Sequence, residues 1–342
     1  MVQLIPEQQR QLRDMGFAIA TLGPGLPNEL PHWRWRDTVR LLRRPHGARR
    51  RVWHARRNIE MLPGVLLRDV LRAPVALVFT SASQREHTAY TRWLIGRMDH
   101  VVATSDKGAA YLERPATVVR HGIDTLRFAP PANAATLRRE LGLLPGRRYV
   151  GCFGRIRERK GTGNFVDAML RILPARPEWH AIVAGRATAA HAGFEQSLVR
   201  RVSEAGLSDR FHFVGERTDI HRWYGVLDLF VAPQRWEGFG MTPLEAMACG
   251  VPVVATDVGA FSELLSPETG TIVAAEDTAA MADAVASWMD DDDRRIRAGI
   301  AARVRVENEF PLSGEARALN VIYVKLIRPD GTAASTGRQD PA

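Results

Sequence analysis

Cysteine is scarce in this 342-residue chain: only Cys152 and Cys249 occur, each in an apolar or glycine-bordered context. Two such residues exclude a disulfide framework and a cysteine metal cluster, and both are expected as small core side chains. Long hydrophobic runs are absent too, since no stretch reaches the ~20 consecutive apolar residues that span a bilayer. The opening Met1-Val2-Gln3-Leu4-Ile5-Pro6 leads into polar residues rather than the apolar segment of a signal peptide, so a cytoplasmic location is expected. Neither half carries a Gly-x-Gly-x-x-Gly fingerprint with an acidic residue ~20 positions later, which sets aside a dinucleotide-dependent dehydrogenase. Negative charge is in deficit. Against 38 acidic residues stand 47 lysines and arginines, for a formal net charge of +9.

What is present begins with that positive charge. Ten arginines crowd residues 34–57, interleaved with Trp33, Trp35 and Trp53. Such a patch attracts phosphate-bearing surfaces, and the classes it admits are nucleic acid, an anionic membrane face, an anionic substrate, or an ordinary solvated arginine face. The nucleic-acid reading leaves the whole second half of the chain unexplained.

Short β-branched runs alternate with helical patterns, the signature of βαβ units around a mostly parallel sheet. In the first half the runs are residues 17–20, 51–54, 76–79, 100–103 and 117–119, preceded by a helical pattern over residues 3–15. Pro130-Pro131 and neighbouring small residues break the pattern before a helix at 136–141, marking a domain boundary between residues 130 and 131. The second half starts again with six runs, at residues 149–153, 180–184, 211–214, 227–231, 253–255 and 271–273, enough for a complete doubly wound sheet. The expectation is an α/β protein of two domains, 1–130 and 131–311, with a helix over 312–327 that crosses back to the first domain. A tail over 328–342, rich in Gly, Thr, Ser, Pro and Asp, is expected to be disordered.

Three motifs carry chemistry. The first is Gly154-Arg155 through Lys160-Gly161, where a strand ends and a helix begins near Gly163. Arg155 offers a planar fork and Lys160 a mobile point charge, a pair suited to a diphosphate. The second is Glu237-Gly238-Phe239-Gly240-Met241-Thr242-Pro243-Leu244-Glu245, with Thr242 expected to cap a helix and Glu245 at its capping-box position. Gly238 and Gly240 let the backbone approach a sugar or phosphate closely. The third is His121-Gly122-Ile123-Asp124, with Gly122 expected in a tight turn after a strand.

Together these motifs resemble the large family of retaining glycosyltransferases with two Rossmann-like domains facing across a cleft, the B-type fold, over nearly all of residues 1–325. The resemblance implies transfer of a sugar from a nucleoside diphosphate donor with retention, needing neither metal nor cofactor. It assigns Arg155 and Lys160 to the diphosphate, Glu245 to the ribose, and Glu237 with the Gly238-Phe239-Gly240 backbone to the sugar. Gly154, Met241 and Thr242 line the same donor site. The stretches 52–61 and 79–93 look like the lipopolysaccharide core mannosyltransferases of Gram-negative bacteria, which implies GDP-mannose as donor and an acidic, lipid-linked inner-core saccharide as acceptor. That acceptor suits the arginine-rich first half and a peripheral contact with an anionic membrane face; no nucleic-acid partner is then expected.

Two departures from the family pattern stand out. The chain opens in what reads as the first helix, so the N-terminal domain is expected to lack its first strand. Thr80 and Ser81 stand where many members carry a histidine, leaving His54, Arg56, Arg57, His87 and His121 as candidates for the acceptor side. A non-catalytic or truncated binder of sugar nucleotides is the alternative that the missing first strand favours.

Overall fold

The computed structural model describes residues 4–328 of the chain, so the tail expected from residue 328 lies, but for Arg328, outside the described residues. The chain divides into two compact units, Met1–Arg120 with Ser313–Ala342, and His121–Leu312.

In the first unit a short parallel pair, β1 (Thr21–Leu22) and β2 (His32–Trp33), precedes a four-stranded parallel sheet. Its strands, β3 (Arg51–Ala55), β4 (Val75–Ser81), β5 (His100–Ala103) and β6 (Thr117–Val118), lie side by side in chain order. Every residue of β4 is buried, as expected of a central strand covered on both faces, whereas the edge strand β3 is largely half-buried. Residues 17–20, expected as a strand, form none. The Phe17 N–H instead closes the helix Leu4–Arg13 by donating to the Leu12 carbonyl at 3.0 Å, and strand pairing begins only at Thr21.

The C-terminal helix Leu312–Ile327 belongs to this unit from Ser313 onward. Buried Gln8 and Asn320 face each other there: Gln8 Nε2 donates to Asn320 Oδ1 at 3.4 Å, and Asn320 Nδ2 returns a bond to the Gln8 carbonyl at 3.3 Å. At the far end of the helix, Arg50 Nε donates to the Leu326 carbonyl at 2.8 Å, satisfying an acceptor the helix itself leaves open.

The second unit holds β7 (Arg148–Phe153), β8 (Trp179–Ala184), β9 (Phe211–Gly215), β10 (Leu229–Ala232), β11 (Val253–Thr256) and β12 (Gly270–Val273). All six run parallel in the order β12-β11-β10-β7-β8-β9. β10 starts two residues later than expected because Asp228 turns away from the ladder. Its carboxylate accepts from the Tyr149 N–H at 2.8 Å and from Arg138 at 2.7 Å. The unit begins at His121, ahead of the proline pair, because Ile123 and Phe128 are buried in its core and Arg303 donates to the Thr125 and Phe128 carbonyls. Cys152 and Cys249 are both buried free thiols.

The strand order creates a crevice in this unit. The chain lays β7, β8 and β9 outward on one side, returns to place β10 against β7, and continues in the other direction through β11 and β12. Loops leaving β7 and β10 therefore diverge at the carboxyl edge of the sheet, the topological switch point where ligands of open α/β sheets bind.

Candidate functional site

Both donor-site motifs emerge at that switch point. β7 ends at Gly154, whose φ of 141° suits glycine, and its N–H donates to the Ala184 carbonyl at 2.9 Å. After a single turn over Glu158–Lys160, Gly161 adopts the left-handed conformation and starts the helix Thr162–Ile172. A Cβ on Gly161 would lie 1.7 Å from the Pro233 carbonyl oxygen, so only glycine allows the β7 and β10 loops to touch. The Arg235 N–H donates to the Arg159 carbonyl at 3.1 Å, and the Arg159 guanidinium lies 4.9 Å from the Trp236 ring centroid.

Across this contact, Lys160 Nζ is ion-paired with Glu237 Oε2, both side chains being about four-fifths buried. The other Glu237 oxygen accepts the Gly238 N–H at 3.1 Å. The two sequence motifs, 77 residues apart, are thus joined by their own charged groups. Arg155 is exposed and, among the described residues, forms no ion pair or side-chain hydrogen bond. It is an exposed, uncommitted cation on the loop that leaves β7.

The chain beyond Glu237 is shaped by glycine. Gly240 has φ 90°, and a Cβ there would come within 2.1 Å of the Phe261 ring. Phe239 is buried, its carbonyl accepts from the Ala260 N–H at 3.1 Å, and His121 meets its ring edge-on at 4.9 Å. The third motif therefore joins the second inside one unit. Gly122 does not make the tight turn expected of it; its φ is ordinary, and glycine is required because a Cβ would sit 2.6 Å from the Leu312 Cα and the Pro311 carbonyl.

The helix Thr242–Ala248 differs from expectation at its start. Met241, half-buried against the core, occupies the N-cap, and no side chain caps the helix. Thr242 lies inside the first turn, where Pro243 also fits, and its Oγ1 accepts from Gln234 Nε2 at 3.3 Å. Glu245 is consequently one residue too far along for a capping box. Its carboxylate instead accepts the Tyr224 hydroxyl at 2.8 Å. Burial raises the Glu245 pKa, with the Tyr224 bond and Arg127 pulling it back down. Burial and the neighbouring Glu245 in turn hold the Tyr224 phenol far above its ordinary value. No local pattern signals Tyr224, which sits 21 residues upstream on the helix Ile220–Tyr224.

The remaining candidates lie in the first unit. Both ring nitrogens of His54 are occupied, Nε2 by Thr80 Oγ1 at 2.7 Å and Nδ1 by the Tyr323 hydroxyl. Burial, then the Arg56 charge, lowers its pKa to about 3, so it is a neutral, fully engaged ring. Thr80 thus holds a histidine from the neighbouring strand. Arg57 is paired with Glu60 at 2.6 Å, and the Arg56 N–H donates to the same carboxylate at 2.7 Å. His87 lies apart on the loop after β4, its pKa lowered by burial and then by Arg85 and Arg92, with Nε2 buried and unpartnered. Of the three interleaved tryptophans only Trp35 is exposed, at 64 %; Trp33 and Trp53 pack against the first unit's core.

Residues 147–291 match the family model described as glycosyl transferases group 1. The chain is 57% identical over 331 residues to the lipopolysaccharide core biosynthesis mannosyltransferase LpsB of Rhizobium meliloti (strain 1021), covering 96% of this chain and 93% of that one. It is 52% identical over 328 residues to the mannosyltransferase LpcC of the same description from Rhizobium leguminosarum bv. viciae, covering 96% and 92%. Among solved structures, Anabaena HepE in complex with UDP superposes with a TM-score of 0.74 over 81% of this chain and 79% of that one, at 22% identity, a likeness of fold. With a matching domain over its switch-point crevice and full-length identity above one half, the chain belongs to the group 1 glycosyltransferases, alongside the lipopolysaccharide core mannosyltransferases.

Proposed function

We propose that this glycosyltransferase transfers mannose from GDP-mannose, with retention, to an acidic inner-core saccharide carried on lipid A. The observation that carries the reading is the Lys160–Glu237 pair at the switch point, with unpaired Arg155 beside it. A nucleoside diphosphate entering this crevice competes with Glu237 for Lys160. The lysine then turns to the diphosphate, Arg155 joins it, and the Glu237 carboxylate is released to accept hydroxyls of the sugar. Glu245, held in place by Tyr224, accepts from the ribose.

In the reaction the bond from the anomeric carbon to the diphosphate oxygen breaks, and the leaving group keeps the electron pair. The acceptor hydroxyl oxygen forms the new bond on the same face, and its proton passes to the departing diphosphate oxygen. Preorganised cations aimed at the departing charge are the largest expected contribution to the rate. Arg155 and Lys160 supply that charge, and the reading needs no cofactor or metal.

The lipid-linked acceptor places the work at the inner face of the cytoplasmic membrane. Among the described residues no helix is long and apolar enough to cross a membrane, so contact would be peripheral. The short helix Trp35–Leu42 supports this, because Trp35 and Val39 are exposed among arginines, a combination suited to an anionic bilayer surface. Binding to vesicles containing anionic lipid, lost when Trp35 and Val39 become serine, checks that part.

The central test is transfer of labelled sugar to a deacylated inner-core acceptor, comparing GDP-mannose with UDP-glucose. Product from GDP-mannose alone, in the α configuration by proton NMR, is expected. Donor binding without product from either would favour the non-catalytic alternative.

A further inference from the structure

Gln234 is 3 % exposed and sits two residues beyond β10, on the loop that leaves the sheet at the switch point. Its main chain is fixed, since its carbonyl accepts the Thr256 hydroxyl at 2.6 Å and the preceding Pro233 carbonyl abuts Gly161. The side chain is half satisfied. Nε2 donates to Thr242 Oγ1 at 3.3 Å, while Oε1 is sealed from solvent and has no hydrogen-bond partner. A buried acceptor left open costs about 1–3 kcal/mol, and folded proteins keep few of them. The residues on either side of Gln234 touch the loop that carries Lys160: the Pro233 carbonyl lies against Gly161, and the Arg235 N–H donates to the Arg159 carbonyl.

The chemistry of that oxygen restricts its partner. An amide oxygen only accepts, and phosphate oxygens at neutral pH offer it nothing. A nucleotide sugar can present hydroxyls, from the ribose or the hexose, and the N–H groups of a guanine base; the hydroxyl-bearing sugars flank the diphosphate directly, whereas the base lies one sugar further away. We infer that Gln234 is a donor-recognition residue whose Oε1 accepts one hydroxyl of the bound nucleotide sugar, using a buried acceptor kept open for it. The inference rests on the crevice being the nucleotide-sugar site. A site whose polar group is left unpaired by an analogue lacking that hydroxyl discriminates against it strongly.

The test uses GDP-mannose and its single-deoxy analogues at the ribose and mannose hydroxyls, with affinity measured calorimetrically and turnover by product release. Wild-type protein is expected to bind one analogue at least fivefold more weakly than the parent. Gln234→Met, which keeps the side chain's length and apolar packing, should bind parent and that analogue equally while melting close to wild type. The position of the missing hydroxyl tells ribose from hexose. Should Gln234→Met fold poorly, Gln234→Asn, shorter by one methylene, is expected to lose the same discrimination. Discrimination in either folded variant equal to that of wild type overturns the inference. Failure of wild-type protein to bind GDP-mannose at all overturns the donor-site reading on which it rests, a separate outcome visible in the first titration.

Discussion

Tyr224 donates a 2.8 Å hydrogen bond to Glu245, joining the helix Ile220–Tyr224 to the helix Thr242–Ala248 beneath the crevice. The bond does two things at once. It aims the carboxylate, and it opposes the burial that raises the carboxyl's pKa. In Tyr224→Phe that opposition is gone and the Glu245 pKa rises further. If the ionised carboxylate binds the ribose, the acid limb of GDP affinity should then move to higher pH. On that acid limb the variant should bind GDP about three- to tenfold more weakly, the scale of one hydrogen bond, and recover as pH rises. Calorimetric affinities across pH 5–8 that superimpose on wild type would remove Glu245 from the ribose.

Gly161 is the point where the loops after β7 and β10 meet, with φ 71° and the Pro233 carbonyl against it. Alanine there must both adopt a left-handed backbone and push the β10 loop away. Gly161→Ala should destabilise the protein by about 2–4 kcal/mol and weaken donor binding, since the loops that carry Lys160 and Glu237 are pushed apart and no longer converge on one ligand. A melting temperature within a degree of wild type, with donor affinity intact, contradicts the close contact.

His180 and His212 lie stacked on neighbouring strands, ring centroids 5.4 Å apart, with Nδ1 and Nε2 at 3.1 Å. Burial, then the His212 charge and nearby Arg210 and Arg147, lowers the His180 pKa to about 4; burial lowers that of His212 also. Unfolded histidine takes up its proton near pH 6.5, whereas the folded protein refuses it until pH approaches 4. Stability from this source is therefore full above about pH 6.5 and declines as pH falls below it. Differential scanning calorimetry should show a smaller loss of melting temperature between pH 7.5 and 5 in His180→Gln than in wild type. Equal losses would mean that the pair titrates normally.

The second unit's sheet was legible because each of its central strands is buried on both faces, so runs such as Val253-Val254-Ala255 stand as unbroken apolar segments between turn residues. Residues 17–20 look alike by that criterion but form no ladder, since pairing depends on a neighbouring strand that composition does not reveal. The Lys160–Glu237 partnership could be suspected from its motifs, whereas the Tyr224–Glu245 bond could not, because no local pattern links the two helices. His54 shows the converse. Its sequence position made it a candidate for the acceptor side, but Thr80 and Tyr323 engage both its nitrogens, and only coordinates could show that.

Whether the switch-point crevice is the donor site is decided by calorimetric titration of GDP, UDP and ADP into wild-type protein and into Arg155→Ala and Lys160→Ala, followed by mannose turnover. Wild type is expected to bind GDP, and each substitution to weaken that binding at least fivefold. Each should also lower turnover about 100-fold or more, as when one preorganised charge-stabilising group is lost. Variants that bind GDP and turn over like wild type, or a wild-type protein that binds none of the three nucleotides, would contradict the assignment of the crevice to the donor.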